Sequence, residues 1–381
     1  IIDRYEILRT YFQFKDGDFV QVVEDNLELP FFHYMVDKLT EPFCQKKLIQ
    51  LNEHLFDLEK GPLLRIELFS GSQEEHFLAI GMHHIISDGW SMKILNDEVA
   101  RVYNNLIDRI EPDLKPLRFQ YRDFAIWQND LLLNSEWLEK QEQFWFNELN
   151  GVNRLDLPYD YQTDGEITFV GKSLNKEIHN WDKVHRNLTQ QSLTCFSFVY
   201  AAIHILLMRL GGQNDIIIAT PVAGRPLIEL EEQIGFFVNT LPLRVKSDES
   251  LTVLDFAQSV QAKFSKILDY QLLPFNKIIS LNKEVKSHRD LINVLMVYQN
   301  NESLDAKMKH IYSHKLEQDF NSAIFDLVFI FSPRESKLNL KLQFNTSLFD
   351  PATAEEIAGL IVSTIELMST DMGIQLGEIQ I

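Results

Sequence analysis

The chain has 381 residues, 45% of them apolar and 24% charged, a composition that suits two lobes of ordinary size and excludes wholesale disorder. Asp and Glu number 55 against 36 Lys and Arg, and the resulting net charge of −19 argues against nucleic acid or an anionic membrane surface as a partner. Cys44 and Cys195 form no CxxC pair, which excludes a zinc framework or disulfide scaffold of the usual spacing and points to a reducing, cytoplasmic setting.

The sequence opens on Ile1, within a stretch that reads as a helix (IIDRYEILRTYF) and not as a signal peptide. The expectation is a piece of a longer polypeptide. Residues 75–86 (EHFLAIGMHHII) read as a strand, followed by a turn at Ser87-Asp88-Gly89. Met92, Leu95, Val99, Val102 and Leu106 then recur at steps of three and four and predict an amphipathic helix. A second helical pattern, rich in aromatics, covers 117–149.

Residues 150–170 lose this periodicity and collect Gly, Pro, Asn and Asp, so a crossing between lobes is expected at 151–170, with one lobe in 1–150 and another in 171–381. A helix over 193–210 is interrupted by Ser197, Tyr200, His204 and Arg209; it is too short and too polar to span a membrane and reads as a buried core helix. Strands are expected at 216–218, 292–298, 325–331 and 338–344, and a last helix at 351–369, opened by Pro351 after Asp350. The class is mixed α/β in two lobes.

The densest cluster of chemistry is MHHIISDGWS, residues 82–91. On a strand, neighbouring side chains point to opposite faces, so His83 and His84 should divide into one packing residue and one facing a cleft. An imidazole beside a turn relaxed by Gly89 is well placed for acid–base or orienting work on a substrate. Diverging histidines make a zinc site on His83, His84 and Asp88 a poor reading, and no other ligand cluster is evident. Ser87 lacks the G-x-S-x-G elbow of a nucleophile. Neither a Walker A sequence nor a GxGxxG occurs, so nucleotide binding has no support.

This segment resembles the HHxxxDG signature of the condensation domains of nonribosomal peptide synthetases. RYEILRTYF (4–12) is similar to the family's RHExLRTxF with Tyr5 for His; YRDFAIW (121–127) matches YxDFAxW; GRP (224–226) with IGFFVNTLPLR (234–244) matches the GxFVNTLxxR block; LFDPAT (348–353) resembles a late segment. The likeness runs in family order along nearly the whole chain. There are departures. The family's first motif, SxAQxRLW, is not found, YQLLPFN (270–276) stands for HQDxPFE, and SHRDLINVLMVYQN (287–300) carries Arg289 and Asp290 where the family has Asn-Pro.

The resemblance implies two chloramphenicol-acetyltransferase-like lobes forming a V-shaped pseudo-dimer, the first lobe lacking its start. It also implies amide formation between a donor acyl or peptidyl thioester and an acceptor aminoacyl thioester. Both would be held on upstream and downstream carrier domains, beside an adenylation domain. Phosphopantetheine would then arrive on those carriers, with no cofactor or metal bound to this chain. His84 would project into a tunnel where the substrates meet, and two roles fit it: general base, or orienting the amine and stabilising developing charge. Gly89 would offer a backbone N–H to the thioester oxyanion. Asp88 would make a structural ion pair with an arginine, Arg225 first, with Arg4 and Arg9 behind it, and His83 would pack. Trp90, Tyr121 and Trp127 would fill the core around the loop. Trp90, Phe237, Asn239 and Thr240 would line the tunnel, the last three having a purely structural crossing as their alternative.

Two other readings compete. One is a free-standing acyltransferase using acyl-CoA; the other is a noncatalytic recruitment or gating module of the same fold, whose members usually lose the histidine present here. Epimerisation is disfavoured by WSMKIL and FVNT, and heterocyclisation by the intact HHxxxDG.

Overall fold

The structure, a computed structural model, describes residues 1–72, 74–112, 114–162, 168–282, 287–299, 307–316 and 322–380. Residues 163–167 of the expected crossing and Asn300 of the 287–300 block lie outside the described residues. The chain divides into two compact α/β units. The first takes residues 1–133 and 223–238 with the described part of 302–318; the second takes 134–222 and the remaining described residues from 239 on.

In the first unit β1 (Thr10–Lys15) and β2 (Asp18–Val23) form an antiparallel hairpin. β3 (Phe31–Met35) precedes α1 (Glu41–Asn52), which Thr40 caps by accepting from the Phe43 amide. β4 (Leu64–Ser70) then pairs parallel with β3 and antiparallel with β5 (His76–Met82). α2 (Gly89–Ile107) and α3 (Tyr121–Leu133) follow. Leu64, Ile66, Ile80 and Met82 occupy alternate positions of β4 and β5 and pack with Tyr5, Ile7, Leu8, Ile86 and Leu95 into one core.

The second unit runs α4 (Ser135–Leu149), β6 (Gly171–Ile178), α5 (Trp181–Gln190), α6 (Cys195–Gly211), β7 (Asp215–Val222), β8 (Asn239–Lys246), α7 (Val253–Leu268), α8 (Phe275–Ser280), β9 (Val294–Tyr298), β10 (Leu327–Arg334), β11 (Lys337–Asn345) and α9 (Pro351–Thr370). Its sheet has the order β6-β11-β10-β9-β7-β8, with the β9–β10 and β7–β9 pairs parallel and the others antiparallel. α6 is buried from Ser197 through Met208 and packs against α7 and α9. No single helix among the described residues is long and apolar enough to cross a membrane.

Three expectations are corrected. The opening residues are not a helix: only Glu6–Arg9 make a 3₁₀ turn, and Thr10 begins a strand, because the alternating TYFQFK suits pairing with DFVQVV. The helix over 117–149 is two helices. Asn134 accepts a hydrogen bond from the Trp137 amide at 3.1 Å and so starts α4 afresh. The strand over 75–86 ends at Met82, and His84–Ile86 form a 3₁₀ turn.

Candidate active site

The last of these corrections changes how the two histidines are separated. They do not sit on alternate faces of a strand; the turn itself assigns them. His83 is the N-cap of the 3₁₀ turn, and its Nδ1 accepts the Ile85 N–H at 3.1 Å. Its ring lies edge-on to Phe56, and burial, then neighbouring His84, hold its pKa below the usual imidazole value. His84 is exposed, and its Nδ1 lies 2.7 Å from the Ser87 carbonyl oxygen. A carbonyl can only accept, so Nδ1 carries the proton and the lone pair of a neutral ring is on Nε2. The two rings therefore hold opposite tautomers.

Asp88 is the N-cap of α2. Its Oδ1 accepts from the Ser91 N–H at 2.8 Å and hydroxyl at 2.7 Å, while Oδ2 accepts the Phe237 N–H at 3.1 Å. Arg225 Nη2 lies 2.9 and 3.0 Å from the two oxygens, and the side chains of this ion pair are only 1% and 3% exposed. Arg225 also donates through Nη1 to the carbonyls of Leu230 and Gln233, and its guanidinium lies 4.0 Å from the centre of the Phe237 ring. Burial lowers the guanidinium pKa, against the pull of Asp88. A carboxylate engaged on all these sides, and not hydrogen-bonded to His84, is not the second member of a His-Asp relay.

Arg4 and Arg9 turn elsewhere. Arg4 pairs with Glu98 at 3.1 Å and donates to the Lys115 carbonyl; Arg9 donates to the Glu24 carbonyl at 2.7 Å. Tyr5, standing for the family's histidine, donates to Glu98 at 2.9 Å, and its pKa is pushed up to about 12, first by burial.

Two glycines allow residues 223–238 to lie against the motif. Gly224 has φ +64°, and a Cβ there would meet the Phe237 carbonyl oxygen at 1.8 Å. A Cβ on Gly235 would meet the Tyr121 ring at 2.1 Å. Tyr121 donates its hydroxyl to the Phe236 carbonyl at 2.9 Å, and burial, reinforced by Asp88, raises its pKa to about 12. Gly89 differs from both. It is the first residue of α2, its φ is not in the left-handed region, and none of the described residues lies within 4 Å of a Cβ added there, so the turn does not require glycine for its backbone. The residue instead keeps the helix's first amide uncovered by a side chain, and that amide is one of those a helix cannot satisfy internally.

Of the residues expected to line a tunnel, two are committed to internal packing. Phe237 is 4% exposed and packs with Phe124, Tyr121 and Arg225. Asn239 donates to the carbonyls of Gln271 and Leu273, each at 2.8 Å, and accepts the N–H of Phe275 and Thr240, each at 3.0 Å. Its amide has no bonding capacity left for a pantetheine arm, and it clamps β8 to the 270–276 segment. Trp90 is half-buried and donates to the Glu231 carbonyl at 3.0 Å; Thr240 is half-buried on β8, opposite Pro221.

Two residues escaped the sequence reading. Ser91, three beyond Asp88, bonds to the carboxylate and also accepts the Gly235 N–H at 3.1 Å; its N-cap spacing was the available signal. Phe236 is exposed and lies edge-to-face with His84, ring centres 5.0 Å apart. Of two consecutive phenylalanines, only the fold distinguishes the anchored one from the presented one. Among the described residues no group of three or more His, Cys, Asp or Glu is arranged to hold a metal ion.

A family model described as "Condensation domain" matches residues 1–381. Bacitracin synthase 3 of Bacillus licheniformis is 32% identical over 390 residues, covering 100% of this chain and 6% of the synthase. Tyrocidine synthase 3 of Brevibacillus parabrevis is 33% identical over 367 residues, covering 94% of this chain and 5% of that protein. The chain thus spans about one twentieth of the length of these relatives. Among solved structures, the X-domain from teicoplanin biosynthesis is similar with a TM-score of 0.87 at 25% identity, covering 100% of this chain and 87% of that one. A four-domain nonribosomal peptide synthetase is similar in fold, with a TM-score of 0.83 at 22% identity over 100% of this chain and 30% of that one. With its signature turn, its Asp–Arg pair and a family match along its whole length, the chain belongs to the condensation-domain family of nonribosomal peptide synthetases.

Proposed function

We propose that this chain joins a donor acyl or peptidyl thioester to the α-amine of an acceptor aminoacyl thioester, each delivered by a carrier domain on a phosphopantetheine arm. The observation that carries this reading is the His84 ring, fixed through Nδ1 by the Ser87 carbonyl and presenting Nε2 on an exposed imidazole. The amine nitrogen attacks the thioester carbon; a C–N bond forms, the C–S bond breaks, and the proton released from nitrogen goes to the departing thiolate. A free α-amine with a pKa around 7.7–8 is partly unprotonated near neutrality, so Nε2 serves this step by accepting a hydrogen bond from the amine and orienting it, with proton removal as its further capacity. The Gly89 amide, at the N-terminus of α2, is the donor we assign to the carbonyl oxygen as it becomes an oxyanion. The Asp88–Arg225 pair supports the turn from behind. The partners in this reading are upstream and downstream carrier domains and an adjacent adenylation domain, in the cytoplasm.

The test is product formation from two loaded carriers, followed by mass spectrometry of the carrier-bound species. His84→Ala should lower the rate at least a hundredfold, the size of a lost base or a lost orienting group. A variant turning over at the wild-type rate would remove His84 from the reaction. A second reading has one observation in its favour: an X-domain neighbour is solved in complex with OxyB, and its fold matches with a TM-score of 0.85. A recruitment module would bind a partner enzyme and leave loaded carriers uncondensed.

A further inference from the structure

Phe236 is 39% exposed while Phe237, next to it, is 4% exposed. The backbone on both sides of Phe236 is fastened to α2, through Gly235 N–H to the Ser91 hydroxyl at 3.1 Å and Phe237 N–H to Asp88 at 3.1 Å. Its own carbonyl is fastened to α3 by the Tyr121 hydroxyl at 2.9 Å. The side chain thus projects from a rigid segment, and what it meets is the His84 ring, with centres 5.0 Å apart and planes at 85°. An imidazole hydrogen-bonded at Nδ1 can still librate about that bond, and an aromatic ring set against it resists the motion. The same ring sets an apolar surface beside the imidazole.

We infer that Phe236 is a positioning and specificity-determining residue for the proposed reaction: it holds the His84 imidazole in place and forms an apolar wall that favours aminoacyl groups with apolar side chains over charged ones. This rests on the condensation reading for its catalytic part, while the selectivity can be read by binding alone. The carboxylate of an aspartyl group placed against the ring loses water without gaining a partner, whereas a leucyl side chain loses only apolar hydration.

The experiment uses the polypeptide that carries this chain, and two stable probes, leucyl- and aspartyl-pantetheine amide, whose dissociation constants are measured for wild type, Phe236→Ala and Phe236→Tyr. Wild type should bind the leucyl probe about tenfold more tightly. Phe236→Ala should lose that preference and Phe236→Tyr retain it. With loaded carriers, Phe236→Ala should lower kcat about tenfold while changing KM for a glycyl acceptor less than twofold, and Phe236→Tyr should restore kcat. Equal binding of both probes by wild type, or a preference that survives in Phe236→Ala, overturns the proposal. Selective binding without any turnover in wild type would instead sink the condensation reading and leave the apolar wall standing.

Discussion

At the residue scale, the turn from His83 to Ser91 separates support from chemistry by hydrogen-bond valence. Asp88 has its lone pairs filled by Ser91, Phe237 and Arg225, whereas His84 spends one nitrogen on a backbone carbonyl and exposes the other. Asp88→Asn replaces an oxygen that only accepts by an NH2 that must face a donor, and it leaves Arg225 charged and buried without its counter-ion. Breaking a buried pair from one side costs about 3–5 kcal/mol, so this variant should lose about that much stability in urea unfolding, with activity falling alongside it. Full stability with lost activity would mean instead that the carboxylate takes part in the reaction. This division was partly legible beforehand. Asp-x-x-Ser is an N-cap spacing, and the family resemblance put Arg225 first among three arginines; residue spacing alone could not have paired it with an aspartate 137 residues away.

At the element scale, the segment between β7 and β8 leaves the second unit, contributes 223–238 to the first, and returns at Asn239. Gly224 and Gly235 permit the close approach this requires, and Asn239 fastens the point of return to 271–275. Asn239→Ala would strip four backbone groups of their side-chain partner, two carbonyls and two amides. With about 1–3 kcal/mol lost per buried group left unmade, and solvent reaching some of them here, the expected loss is about 2–3 kcal/mol. Hydrogen exchange should accelerate at the Phe275 and Thr240 amides; unchanged protection there would contradict the clamp. The helix break at Asn134 belongs to this scale too. Continuous apolar and aromatic periodicity over 117–149 concealed it, because a hydrophobic pattern records which residues are buried and says little about a single capping side chain.

For the molecule as a whole, stability should fall in mild acid for a reason found in the core of the second unit. His204 in α6 is fully buried, neither ring nitrogen has a hydrogen-bond partner among the described residues, and burial, against a smaller pull from Asp215, lowers its pKa to about 3. An unfolded histidine titrates near 6.5, so between these values the unfolded chain binds the extra proton and the native state does not. Stability from this group is complete above the unfolded value and declines as the pH drops towards 3, with about 2 kcal/mol gone by pH 5. His204→Leu should remove this part of the pH dependence: the stability difference between variant and wild type should shift by about 2 kcal/mol in favour of the variant between pH 7 and pH 5. An identical slope for the two proteins would show that the ring does not titrate in this range.

The α/β class, the buried character of α6, the family and the histidine pair that marks its site could all be read from the order of residues, since they rest on local periodicity and on contiguous motifs. The family resemblance also pointed to His84 and put Arg225 first for Asp88; folding had to supply the turn that sets the two histidines apart, the commitment of Phe237 and Asn239 to packing, and the placing of Phe236 against the imidazole. Those outcomes depend on backbone groups and side chains brought together from distant parts of the chain, as Asn239 and Gln271 or Asp88 and Phe237 are, or on a turn whose tautomers are set by single carbonyl and amide contacts. A residue's own type and spacing carry no record of such distant partners.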